Sequence, residues 1–179
     1  RDVDLNDSLS SVIFDNYLEA LDGNKNYFLA SDIKSFEKYR FSLDDDLKRG
    51  NLVPAFYIYN IYKNRVESRL KYALANTGYK FDFSKNEIFH FDRSDMPYAK
   101  TEAELDELWR KTLKNQALNL KLSGSDNAKI AEVLKTRYER FKSNVEKYNS
   151  NDVFEIFMNS VTESFDPHTN YYTPLNAED

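Results

Sequence analysis

Thr101-Glu102-Ala103-Glu104-Leu105-Asp106-Glu107-Leu108-Trp109-Arg110-Lys111-Thr112-Leu113 is the stretch that decides the fold class. Its first four residues form a capping box: the Thr101 hydroxyl accepts from the Glu104 N–H while the Glu104 carboxylate reaches back toward the helix start. Leu105, Leu108, Trp109, Leu113, Ala117 and Leu120 then recur at three-and-four spacing, which lines one helical face, until Ser123-Gly124. The same pattern continues on the C-terminal side. Asp126 predicts a helix carrying Ile130, Val133, Leu134, Tyr138, Phe141, Val145 and Tyr148, and Asn151 predicts one carrying Phe154, Phe157, Met158, Val161 and Phe165. Pro167 forbids continuation of the latter. The turns near Gly124 and Asn149 are short, so these three helices are expected to be antiparallel neighbours.

On the N-terminal side, Leu9, Val12, Ile13, Tyr17, Leu18 and Leu21 form a first stripe. Asn6 or Asp7 caps it, and Gly23-Asn24 ends it through the left-handed conformation. Ser31 caps a second helix with Ile33, Phe36, Tyr39, Leu43 and Leu47 on one face, ending at Gly50. Pro54 fits the first turn of a third, which runs past Tyr62, Val66, Leu70 and Leu74 to Gly78. Its start, Ala55-Phe56-Tyr57-Ile58-Tyr59-Asn60-Ile61-Tyr62, is apolar or aromatic on nearly every face, which calls for more than one neighbour. From Tyr79 to Tyr98 the period changes, with Tyr79, Phe81 and Phe83 alternating with Lys80 and Asp82. The expectation is therefore all-α: about six helices in an arched or orthogonal array, with a short extended or hairpin-like segment around 79–98.

Composition agrees with this reading. The 179 residues contain 4 Gly and 4 Pro, against average usage of about 7% and 5%, too few for the turns of a sandwich or barrel. Lys+Arg of 25 against Asp+Glu of 30 gives a net charge of -5, which argues against a basic nucleic-acid groove. Mean hydropathy is -0.73, and no apolar run is long enough for a membrane span or a signal peptide. With no Cys, thiol chemistry, disulfides and Cys-ligated zinc are excluded.

No residue pattern assigns a reaction. His90 and His168 are the only histidines, and they lie in separate irregular segments. His90 reads as the edge of an aromatic cluster, and Asp166 with His168 makes at best a weak metal pair. Asp2, Asp4 and Asn6 open like a calcium loop, but Asp7 and Ile13 stand where Gly and Glu are required. Asp44-Asp45-Asp46 reads as a solvated face, since consecutive helical residues point in different directions. No phosphate loop or nucleophile elbow is present. Catalytic, cofactor-binding and metal-ligating residues are therefore all read as none, and no cofactor is expected. Tyr57, Tyr59 and Tyr62 exceed one stripe, so part of that face is expected to dock on something within this chain or outside it.

Several motifs resemble the amino-terminal region of bacterial tail-specific, or carboxy-terminal processing, proteases. They are Tyr27-Phe28-Leu29-Ala30-Ser31-Asp32-Ile33, Leu43-Asp44-Asp45 with Gly50 and Pro54-Ala55-Phe56, Glu104 to Lys111, Leu118-Asn119-Leu120-Lys121-Leu122 and Asp152-Val153-Phe154. Phe165-Asp166-Pro167-His168-Thr169-Asn170-Tyr171-Tyr172-Thr173-Pro174 resembles the segment that leads into that family's PDZ domain. Gly23, Tyr98, Asn151 and Leu175 depart from the residues usual there. The resemblance implies a periplasmic serine endopeptidase acting on proteins with apolar carboxyl termini through a Ser/Lys dyad and a PDZ domain, both beyond residue 179. Residues 1–165 would be its non-catalytic helical domain, shaping substrate access and docking an adaptor protein. Residues 166–179 would be a junction toward the PDZ domain, and the chain an excised piece. The implied partners are the PDZ and protease domains of the same parent chain, protein substrates and the adaptor, with no nucleic acid and no membrane insertion. The alternative is an independent helical scaffold that binds proteins through its aromatic third helix.

Overall fold

Asn6 opens the first helix, its Oδ1 accepting from the Leu9 N–H at 2.9 Å. The computed structural model describes residues 6–165. In chain order they form α1 (Asp7–Asp22), α2 (Ala30–Phe36), a 3-10 turn (Glu37–Tyr39), α3 (Leu43–Lys48), α4 (Val53–Ala75), α5 (Glu102–Leu122), α6 (Asn127–Glu146) and α7 (Ser150–Phe165). The all-α expectation holds. Among the described residues there is no strand, and the isolated bridge between Leu29 and Ala99 lies outside the 79–98 segment. Of the two forms expected for 79–98, extended or hairpin-like, no hairpin forms, because Phe81 and Phe83 pack on a helical cluster instead of pairing with another strand.

The described residues form seven helices where about six were expected, because the segment from Ser31 to Gly50 is broken. Ser10, fully buried on α1, donates its Oγ hydrogen to the Arg40 carbonyl at 2.7 Å and accepts from the Leu43 N–H at 2.9 Å. One distant hydroxyl thus satisfies two backbone groups that a continuous helix would have paired internally, the Arg40 carbonyl with the Asp44 N–H and the Leu43 N–H with the Tyr39 carbonyl. Arg40 adds to the break. Its guanidinium bonds Glu37, Asp15 and Ser11 and lies 4.4 Å from the centre of the Phe14 ring, and this bond holds the Glu37 carboxyl below its usual range. Ser10→Ala would leave the Leu43 N–H buried without a partner, so an equilibrium unfolding curve should register a loss of about 1–3 kcal/mol. An unchanged midpoint would mean that the break does not depend on Ser10.

Two further local expectations are corrected. Gly23 keeps right-handed angles, with φ -59; the left-handed residue is Lys25, with φ 55, which its own side chain holds by two hydrogen bonds described below. Glycine suits position 23 for another reason, since a Cβ there would lie 2.9 Å from the Glu19 carbonyl oxygen. Asp44 and Asp46 are buried rather than solvated. Asp46 closes the turn after α3, accepting from Asn51 Nδ2 at 3.2 Å while its carbonyl accepts from the Asn51 N–H at 2.7 Å.

The described chain divides into two compact units. The first holds 6–24, 30–62 and 148–165. Here α1 packs on α3 and α7, burying Ile13, Phe14, Tyr17, Leu18 and Leu21 from α1 and Val153, Ile156, Phe157 and Val161 from α7. The Tyr17 and Phe157 rings meet edge to face at 5.2 Å, and Asn16 Nδ2 donates to the Ser160 carbonyl at 3.2 Å. The second holds Lys25–Leu29 and Lys63–Lys147. Within it α5 packs on α6, with Ala117, Ile130 and Leu134 forming a cluster. The expected trio of neighbours is thus a pair: α7 belongs to the first unit because its apolar stripe packs on α1.

Candidate functional site

The second unit contains the longest irregular stretch among the described residues, 76–101, between α4 and α5. Local hydrogen bonds shape it. Asp82 Oδ1 accepts from the N–H and hydroxyl of Ser84, and Asp92 repeats the arrangement with Ser94. Such turns satisfy backbone groups that lack a ladder. The Ser84 bonds hold the Asp82 carboxyl below its usual range, and the Ser94 bonds do the same for Asp92.

Longer contacts fix the stretch within this unit. Glu87 bonds the Arg110 guanidinium through both carboxylate oxygens and accepts from Lys114 Nζ at 2.7 Å. Lys114 Nζ also donates to the Lys85 carbonyl at 3.2 Å. Arg110, then Lys114, hold the Glu87 carboxyl down to about 2. It therefore stays ionised across the neutral range. At the other end Lys25 Nζ donates to the Ser94 and Met96 carbonyls, each at 2.6 Å, and lies 5.1 Å from the centre of the Tyr98 ring. Between these anchors Ile88 and Phe91 are 73% and 78% exposed. The stretch is thus an anchored apolar display.

A buried aromatic anchor completes the unit. Trp109 Nε1 donates to the Asn26 carbonyl at 2.9 Å, and its ring contacts Tyr27 and Tyr138 at 5.7 and 6.2 Å. Tyr138 is fixed in turn by donating to Gln116 Oε1 at 2.7 Å. Arg69, buried on α4, reaches Asp106 at 2.7 Å.

The residues singled out by sequence are scattered. His90 is exposed in the irregular stretch, and Asp44 to Asp46 lie on α3 in the first unit. No group of three or more His, Cys, Asp or Glu among the described residues is arranged to hold a metal. Asp166, His168 and the proposed junction 166–179 lie outside the described residues. Ser35, Ser42, Ser123, Ser160 and Ser164 donate their hydroxyls to carbonyls three or four residues back, a local use that caps or bends helices. On α4, Tyr59 and Tyr62 are buried. Tyr57 meets Phe36 and Tyr39 edge to face at 6.2 and 5.8 Å, with Lys38 Nζ 5.0 Å from its ring centre. The aromatic surplus of this helix is therefore used largely inside the chain. The sequence reading missed the Glu87 clamp, and no local signal marks it, because Glu87 and Arg110 are 23 positions apart.

Comparison with known proteins adds what geometry does not. The tail-specific protease N-terminal domain family matches residues 1–175. A protein named tail-specific protease, from Haemophilus influenzae, is 34% identical over 179 residues, 99% of this chain but 26% of its own length. The chain thus spans about a quarter of that relative. No helix among the described residues is long and apolar enough to cross a membrane.

Proposed function

We propose, because the chain belongs to the family of tail-specific protease N-terminal domains, that it is the non-catalytic amino-terminal helical part of a longer periplasmic serine endopeptidase. In this reading residues 1–165 form the helical region and 166–179 lead into a PDZ domain. The Ser/Lys dyad follows later in the parent chain, and substrates are proteins with apolar carboxyl termini. The helical part shapes substrate access and offers a surface to an adaptor. The observation that carries the reading is the family match over 1–175 together with a relative of which this chain spans only 26%. The anchored display of Ile88 and Phe91 supplies an exposed apolar surface of the kind interaction sites use.

The test compares the complete protease, the same protein lacking residues 1–165, and this chain alone. Both protease forms should cleave a short peptide with an apolar carboxyl terminus, whereas selectivity among folded protein substrates should require the helical part. The isolated chain should show no turnover. Turnover by the isolated chain that vanishes on replacing one of its serines would overturn the proposal. So would equal processing of every folded substrate by both protease forms.

A further inference from the structure

Independently of that reading, a concavity in the second unit has a chemistry of its own. It holds about 300 Å³ and lies where the start of the irregular stretch meets α5 and α6. Its lining includes Tyr79, Phe81, Phe83 and Ile130, with Lys80 and Lys121 among them, and no carboxylate contributes. The alternation read from the sequence explains the wall. Phe81 and Phe83, two residues apart, both pack on the Ala117, Ile130 and Leu134 cluster, while Asp82 between them bonds Ser84. Their rings stand 6.4 Å apart, and Tyr79 meets Phe81 at 5.0 Å.

Charge is the second observation. The chain carries a net charge of -5, yet this concavity presents two ammonium groups. Neither Lys80 nor Lys121 pairs with a carboxylate of a described residue; Lys121 Nζ instead lies 4.9 Å from the centre of the Phe83 ring. Lys114, by contrast, is committed to Glu87. A volume at the small end of ligand sites fits one ring or branched aliphatic group and its head. An apolar wall rimmed by unpaired cations favours an anionic head.

We propose that this concavity binds an apolar carboxylate: an aromatic or branched aliphatic group packs against Phe81, Phe83 and Ile130, and its carboxylate lies between Lys80 and Lys121. Two sources share that chemistry, a small organic acid and the free carboxyl end of a polypeptide.

The experiment titrates the isotopically labelled chain with 3-phenylpropionate and with 3-phenylpropionamide while amide shifts are followed by NMR. A tetrapeptide ending in Phe is then added in free-acid and amidated forms. The acid should move the amides of Phe81, Phe83, Lys121 and Ile130, and should bind about fivefold or more tightly than the amide, as two exposed ion pairs allow. Lys80→Gln with Lys121→Gln should erase that difference without changing the fold, because both side chains are exposed. Binding of the free-acid tetrapeptide would identify a chain end as the source, and binding of the small acid alone would identify a metabolite-sized ligand. Three results would overturn the proposal. They are no shift at these amides up to about 10 mM, weaker than millimolar affinity; equal binding of acid and amide; and a preference that survives loss of both lysines.

Discussion

Trp109→Ala is expected to destabilise the second unit by about 3–5 kcal/mol, the usual cost of truncating a large buried aromatic. The indole is only 6% exposed, and removing it deletes ring contacts with Tyr27 and Tyr138. It also removes the indole N–H that donates to the Asn26 carbonyl. That carbonyl belongs to Lys25–Leu29, a stretch the chain contributes to this unit from far away in sequence, so the indole N–H ties a distant segment of backbone to α5. Trp109→Phe separates the two effects: it keeps most of the packing and loses the hydrogen bond, for about 1 kcal/mol. Urea unfolding followed by far-UV circular dichroism measures both, with amide exchange along α5 and α6 locating the loss. A cost below about 1 kcal/mol for the alanine variant would place Trp109 among surface positions and contradict the packing described.

How much of this was legible depends on whether the deciding partner is local. The capping box at the start of α5 is local, and its cap forms: the Glu104 N–H donates to Thr101 Oγ1 at 3.1 Å, while the Glu104 carboxylate reaches one residue past the cap to accept from the Lys100 N–H at 2.6 Å. The stripe Leu105, Trp109, Leu113 and Ala117 is buried as its period requires. The segment from Ser31 to Gly50 also has a consistent helical stripe, but Ser10, some 30 residues away, breaks it. Periodicity cannot register a hydroxyl supplied by another helix. The alternation at 79–83 correctly puts Phe81 and Phe83 on one side. It left a hairpin open because period two says nothing of whether the partner is a strand or a helix. The concavity was hidden for the same reason, since Lys80 and Lys121 come together only through tertiary packing. Family membership, by contrast, was readable from ordered motifs, and the match over 1–175 bears it out.

Tyr17 should make stability fall at alkaline pH, and Tyr17→Phe should expose that dependence. The phenol is 1% exposed, donates to the Ala55 carbonyl at 2.8 Å and packs edge to face on Phe157. Burial, and secondarily the neighbouring Tyr59, push its ionisation well above the ordinary value of 10.0. In the unfolded chain the same phenol ionises near that ordinary value. Above pH 10 the unfolded state therefore releases a proton that the folded state retains, and stability drops by about 1.4 kcal/mol per pH unit for this one group. Below pH 10 both states are protonated and the contribution is constant. Tyr17→Phe loses the bond to Ala55, for about 1 kcal/mol at neutral pH, but it also removes one proton from the alkaline slope. The two stability curves should therefore converge above pH 10 and cross roughly one unit higher, beyond which the variant is the more stable protein. Tyr138, raised chiefly by burial, and Tyr72, raised by burial and by Asp106, remain in the variant, so its curve still declines. Urea midpoints from about pH 8 to 11.5 measure the crossing. A gap between the two proteins that stays constant over that range would mean that Tyr17 ionises in the folded chain as readily as in the unfolded one, and its hydroxyl would then have to be in water.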